Sequence, residues 1–429
     1  MQKIKYPKVD EILYKEVLPS GLEVYLLPNK NVKNFYMTFS TKFGSLYTEF
    51  KKASAASYTK IPDGVAHFLE HITFKMPDGD ASDYFANLGS ESNAYTSFKV
   101  TCYEVYGYDK FKENLNYLLD FVQTPCYTSK MIEAEKGIIA EEVKMCEDNT
   151  LSLLSYSLYR NLFSKYKYSS FVCGNVKDVK STTLKDIENS YQTFYHPSNM
   201  FIIITGNFNH EEALAIIEEN QAKKKFENAP EIKIKRINEP NKVVKEYEEI
   251  PANVEVEKVN IGLKMPLSNF SKLNISDIKR DILVNIIINS NFGRTSEIRE
   301  RLINGNIITD GIIASKYITD DYLIIELSAE TPYPQRYISI MKEKLKKITI
   351  TKEELEIKKR VAISNYILSF DDIEETSYNI QSDLVNYGQV IHNIYDIYNE
   401  LDYSTAEEVA KKINDKNMAI VVLVPKEDK

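Results

Sequence analysis

The chain lacks any apolar run approaching the roughly 18 residues that a membrane-spanning helix requires. Its longest, near Met200–Ile204 and Met418–Val424, are the size of strands, so no membrane association is expected. Tryptophan is absent, and 429 residues hold only five histidines and four cysteines. Cys102, Cys126, Cys146 and Cys173 lie 24, 20 and 27 residues apart, which fits neither a C-x-x-C redox pair nor a four-thiolate zinc site. They are expected as reduced, mostly buried thiols. A basic excess is missing too. Fifty-four Lys and Arg against 62 Asp and Glu leave a net charge of −8, the wrong field for phosphate backbones or anionic lipid, and nucleic acid is not expected as a partner. The first residues are broken by Pro7 and Asp10 before any signal-peptide core can form. A cytoplasmic location is the expectation.

What is present reads as a folded protein of two or three domains, given 43% hydrophobic and 27% charged residues. Strand-like stretches at Gly21–Leu27, Asn34–Thr41, Ala94–Tyr106 and Phe201–Thr205 alternate with long segments of helical period, the pattern of a mixed α/β or α+β domain. From about Ala222 to Glu249 the chain turns rich in Lys and Glu with Pro230 and Pro240, and reads as a linker. Residues 1–221 and 250–429 then form the two domains. Two blocks recur about 220 residues apart: Tyr127–Val143 can be laid on Ile350–Tyr366, and Ser181–Thr205 on Ser404–Val424. This suggests a duplicated domain.

Two of the five histidines flank a glutamate in GVAHFLEHITF. At about 100° per residue, with His67 at 0°, Glu70 falls near −60° and His71 near 40°, while Phe68, Leu69 and Ile72 lie on the far side. The helix thus has an apolar back and a His/Glu/His front. Imidazoles at i and i+4 suit one Zn²⁺, which acidifies water, and the neighbouring carboxylate can take that water's proton as a carbonyl is attacked. A third ligand is needed. On Ser129–Cys146, with Glu135 at about 0°, Glu142 falls near −20° among Met131, Ile132, Ile138, Ile139 and Val143, whereas Glu141 falls on the polar side. Two inward carboxylates call for a compensating cation. In the second copy Lys358 and Asn365 stand at the places of Glu135 and Glu142, and no His/Glu/His cluster occurs beyond residue 210. His196, His210 and His392 are read as structural, and Lys223–Lys225 as solvated surface.

HFLEH is the inverted zinc motif, and the chain resembles the pitrilysin and processing-peptidase family over nearly its whole length. GVAHFLEH, EKGIIAEEVKMCEDN and YQTFYHPSNM look most like its small two-domain bacterial subgroup, whose active chain is often accompanied by a catalytically silent paralogue. The resemblance implies an α+β fold of two homologous α/β-roll domains facing each other as half of a clamshell. It implies a zinc metalloendopeptidase with ligands His67, His71 and Glu142, general base Glu70, and Glu135 as a carboxylate supporting a ligand. Extended peptide would add to an edge strand at Asn93, Ala94, Tyr95 and Thr96. The family's second domain usually contributes an Arg and a Tyr to the scissile carbonyl; here Arg294 and Tyr317 are the candidates, and the Tyr is missing from its usual place. A homodimer, or a heterodimer with an inactive paralogue, is the implied assembly. The alternative is a peptide-binding subunit active only in such a hetero-oligomer.

Overall fold

The computed structural model describes residues 1–77 and 79–426. The chain forms two compact units. Unit 1 comprises residues 1–145, 170–236 and 366–393, and unit 2 comprises residues 146–169, 237–365 and 394 onward.

Unit 1 is built on a seven-stranded sheet of β1 (Gln2–Lys5), β2 (Ile12–Val17), β3 (Glu23–Pro28), β4 (Phe35–Thr41), β5 (Glu91–Thr96), β6 (Thr101–Gly107) and β7 (Met200–Gly206). The order is β1-β2-β3-β7-β4-β6-β5. Every residue of β4 and β7 is buried, so both faces of these strands must be covered, and FIIIT reads as a continuous apolar run rather than an alternating one. Unit 2 holds a five-stranded sheet of β8 (Tyr247–Ala252), β9 (Lys258–Pro266), β10 (Ile313–Ile318), β11 (Tyr322–Glu330) and β12 (Met418–Pro425) in the order β8-β12-β9-β11-β10. Strand β7 runs parallel to β3 and antiparallel to β4. Likewise β12 runs parallel to β8 and antiparallel to β9. Five strands of each unit therefore share one order and one set of directions, the topological form of the duplication. Both units are mixed α/β, with sheets packed against helices.

The helices include α1 (Val65–Thr73), α2 (Ser129–Asp148), α3 (Thr150–Leu162), α4 (Lys352–Leu368) and α5 (Ile373–Tyr387). The units are not the contiguous stretches expected from composition, because each takes a helix from the other half of the chain. Helix α3 packs on β9 and β12 of unit 2, where Gly262 leaves room for Leu158 and Leu162. Helix α5 covers β4 and β7 of unit 1, with Ile380 and Leu384 against Tyr25, Phe201 and Ile203. Polar ties register it: Thr205 Oγ1 donates to the Ile373 carbonyl at 2.8 Å, and Gln381 Nε2 to Ser40 Oγ at 2.9 Å. The exchange has a local cause. Asn149 caps α3 by accepting from the Leu151 and Ser152 amides, and Asp372 caps α5 by accepting from the Glu374 and Glu375 amides. A cap takes extended φ/ψ, so each breaks a long helical run and redirects the chain.

The segment read as a linker is also more structured than its composition suggests. Ile232–Ile234 pairs with Glu49–Lys52, and Tyr247 opens β8. Between them, buried Glu239 accepts from the Lys165 and Tyr166 amides and pairs with the buried Lys264 ammonium at 2.7 Å. Lys224 is not simply solvated either, since its Nζ donates to the Leu119 carbonyl at 2.9 Å and to Gln123 at 2.8 Å. Long Lys side chains reach polar groups across apolar surface, which composition alone does not register. The Ala94–Tyr106 strand is a hairpin, β5 and β6, turning at 97–100 where the Ser97 amide donates to the Val100 carbonyl at 2.8 Å. Among the described residues no disulfide joins the four cysteines; Cys102 and Cys173 are buried, whereas Cys126 and Cys146 are half-buried. His196 bonds to Ser198 and the Glu227 carbonyl, and His210 stacks on Tyr14. Among the described residues no helix is long and apolar enough to cross a membrane.

Burial raises the Asp383 carboxyl on α5 to about 7, against the Ile391 amide that donates to it. A carboxyl raised on folding stabilises fully below its unfolded value near 4, and that contribution fades as pH rises through 7. Asp383→Asn is therefore expected to unfold at a higher temperature than the parent at pH 8, with the gain shrinking towards zero by pH 4; thermal melts across this range measure it.

Candidate metal centre

Helix α1 begins at Gly64, whose φ of 87° is open to glycine but strained for other residues. A Cβ there would lie 2.3 Å from the Cys173 carbonyl oxygen, and one on Gly174 would lie 2.5 Å from that of Asp63. Two backbones thus touch without side chains between them, and this contact sets where α1 starts. Val65, Phe68, Leu69 and Ile72 bury its back. His67 and Glu70 are also nearly buried, at 9% and 8% exposure.

Helix α2 supplies the carboxylates. Its buried face is Ile132, Glu135, Ile139, Ala140 and Val143. Ile138, expected on that face, is exposed, because the buried arc is centred about 60° from Glu135 and Ile138 falls outside it at about −60°. Glu142 sits on the arc's edge, half-exposed and beside the histidines. Its Oε1 lies 3.3 Å from His67 Nε2 and its Oε2 lies 3.3 Å from His71 Nε2. One ligand atom from each of His67, His71 and Glu142 falls within 4.8 Å of the others, the one such grouping among the described residues. Glu141 points elsewhere and pairs with Lys144 at 2.5 Å. Glu135, 5% exposed, accepts at 3.0 Å from His71 Nδ1.

These residues fit a zinc ion. Two imidazole nitrogens and one carboxylate form a donor set that leaves one tetrahedral position open. The Glu135 carboxylate keeps the His71 proton on Nδ1 and so presents the Nε2 lone pair to the centre. The charges ask for a cation. Burial works to lower the His71 pKa, but hydrogen bonds to Glu135 and Glu142 overcome it and raise the ring to about 9. The same bonds from His67 and His71 hold Glu142 well below the usual carboxylate range against its burial. Without a metal, a proton on His71 plays the cation's part. Nδ1 of His67 is buried without a hydrogen-bond partner.

Strand β5 ends the sheet, so Asn93–Thr96 present one backbone edge that pairs with no strand among the described residues. Side chains alternate across it. The Tyr95 hydroxyl donates to Gln381 of α5, whereas Thr96 Oγ1 turns to the other face and donates to Glu70 Oε2 at 2.6 Å. Sequence reasoning placed Thr96 on the strand for its backbone alone; alternation shows that Tyr95 and Thr96 diverge but not which faces the helix. Arg294 belongs to unit 2, exposed in the turn between helices Asp277–Phe292 and Glu297–Asn304, its carbonyl accepting from Arg299. Tyr317 lies on β10 with its ring 5.3 Å from that of Tyr168.

Residues 55–174 match the family model described as insulinase, peptidase family M16, and residues 181–361 match the one described as the peptidase M16 inactive domain. The chain is 30% identical to the uncharacterised zinc protease YmfH of Bacillus subtilis, over 99% of this chain and 100% of that protein. It belongs to the M16 peptidase family. A second M16 relative, the zinc protease PqqE of Helicobacter pylori, is 23% identical over 86% of this chain and 83% of its own length. Among solved structures, a putative M16-like peptidase from Alicyclobacillus acidocaldarius superposes with a TM-score of 0.90 at 26% identity, covering 98% of this chain and 99% of that one. This M16 chain is thus a small two-domain bacterial-type member, similar along its length to proteins named zinc proteases.

Two measurements test the centre. Competition with a chromogenic chelator is expected to show Glu142→Gln losing zinc, Glu135→Gln weakened about 10–100-fold and Glu141→Gln unchanged. Because His71 is raised to about 9 in the metal-free protein, zinc uptake at pH 7 must displace about one proton, and affinity must weaken as pH falls below 9. Calorimetry in buffers of different ionisation heat reads that proton directly.

Proposed function

We propose that the protein is a zinc metalloendopeptidase acting on extended peptides or peptide precursors. The observation that carries this reading is the convergence of His67, His71 and Glu142 within 4.8 Å, with buried Glu70 one residue before a ligand. A purely structural zinc has no use for a base beside an open position. Zinc on the three ligands would supply Lewis-acid polarisation of the scissile carbonyl and of water. Glu70 takes the proton of the attacking water and returns it to the leaving amine nitrogen. Glu135 holds the His71 ring in place. Substrate backbone adds to the free edge of β5 at Asn93–Thr96, which aligns the peptide without reading its side chains. The protein works in the cytoplasm.

A second reading is favoured by one observation. The stretch after Arg294 carries no Tyr at the place where the family's carbonyl-holding Tyr is expected, and Tyr317 instead packs on Tyr168. In this reading the chain hydrolyses peptides only as a heterodimer with a catalytically silent paralogue that supplies those groups, rather than alone or as a homodimer.

Purified protein incubated with a diverse peptide mixture and analysed by mass spectrometry separates the two. The first reading expects cleavage by the zinc-loaded chain alone, abolished by chelation. Glu70→Gln is expected to keep its zinc and lose about 10²–10⁴ in turnover, the worth of a positioned base; wild-type turnover in that variant would overturn the mechanism. Cleavage appearing only when the paralogous chain is added would establish the second reading.

A further inference from the structure

We infer that Thr96 is a positioning residue for Glu70, its hydroxyl fixing which carboxylate oxygen is left to face the reacting water; the inference rests on the peptidase reading above. Each threonine hydroxyl has one proton to donate. Thr101 Oγ1 donates to the Phe43 carbonyl at 2.8 Å. Thr96 Oγ1 lies 2.6 Å from Glu70 Oε2 but 3.3 Å from Thr101 Oγ1. The shorter contact has the length of an O–H to carboxylate bond, and a carboxylate can only accept. Both protons are therefore committed, and the Thr96–Thr101 contact is left with none. Thr96 has no alternative donor role, and Glu70 Oε2 is held as an acceptor. Oε1 of Glu70 accepts no hydrogen bond from any described residue, which makes it the working oxygen.

The constraint is stiff at both ends. Glu70 is 8% exposed, so loose water cannot readily replace a lost donor, and leaving a buried charged acceptor unsatisfied is costly. Thr96 is β-branched, which restricts χ1 on the strand. Its backbone also belongs to the edge where substrate adds, so the strand that seats the peptide orients the base as well. Asn93 and Tyr95, on the alternate face, cannot do this.

The test compares zinc-loaded wild type, Thr96→Val, which keeps the shape and removes the donor, and Thr96→Ser, which keeps the donor. Turnover of a reporter peptide and crystal structures of all three are the readouts. Thr96→Val is expected to lose at least tenfold in kcat, on the order of one hydrogen bond to a charged group, with KM within about twofold and zinc content unchanged. Thr96→Ser is expected to recover most of that loss. In the crystals the Glu70 carboxylate should turn away from its parental position in Thr96→Val and return in Thr96→Ser. Equal losses in the two variants would assign Thr96 a merely structural role and overturn the proposal. So would a Glu70 carboxylate unmoved in Thr96→Val, whether or not peptide is cleaved. A wild-type protein that cleaves nothing would remove the peptidase reading alone, because the crystallographic comparison still decides where Thr96 holds Glu70.

Discussion

Unit 1 depends on the burial of negative charge without a permanent positive partner. Glu70 and Glu135 are almost fully buried and Glu142 lies at the mouth beside them, yet among the described residues no lysine or arginine forms an ion pair with any of the three. Isolated carboxylates so placed would carry a large desolvation penalty. The two imidazoles meet Glu135 and Glu142 directly, and an imidazole offers positive charge by taking a proton or electron pairs by holding a metal. The raised pKa of His71 and the depressed one of Glu142 are the signature of the first arrangement. A divalent cation satisfies the same field more completely and leaves both rings neutral. The site is therefore a cation site by its electrostatics before any question of catalysis arises.

Two helical periods make this geometry possible. His67 and His71 are one turn apart on α1, so their Nε2 atoms reach a common point. Glu135 and Glu142 are two turns apart on α2, which lets one carboxylate meet the outer nitrogen of His71 while the other meets the inner nitrogens of both rings. Neither helix could do so without the other at a fixed height. The side-chain-free contact of Gly64 with Cys173 and Gly174 fixes α1, and the burial of Ile132, Ile139 and Val143 fixes α2. The second copy keeps the strand order but places Lys358 and Asn365 at the equivalent points, with Lys358 donating to Thr295.

The exchange of α3 and α5 shows why compositional boundaries failed. Domain cuts drawn from Lys, Glu and Pro content register where a chain is solvated. They do not register which sheet face still needs cover. Strand β7 is apolar on both faces, so a second helical layer was implied, but FIIIT does not say which helix provides it. The helix came from 373–387 because Asp372 ends one run and Ile380 and Leu384 match Phe201 and Ile203.

The sequence by itself determined which side chains could converge: His67, Glu70 and His71 share a helix face because of a period that any α-helix imposes, and Glu142 rather than Glu141 turns towards them for the same reason. It determined the duplication as well, since amphipathic pattern survives where metal ligands do not. Tertiary structure alone decided three things. It shifted the buried arc of α2 so that Ile138 lies outside, because the helix axis settles on the centroid of its contacts rather than on its most apolar line. It split the Ala94–Tyr106 stretch into a hairpin and left β5 at the sheet edge, since pairing partners are chosen across the sequence and not along it. And it brought the Thr96 hydroxyl to Glu70, a contact between a strand and a helix 26 residues apart, which no local period encodes because nothing in either segment specifies the distance between them.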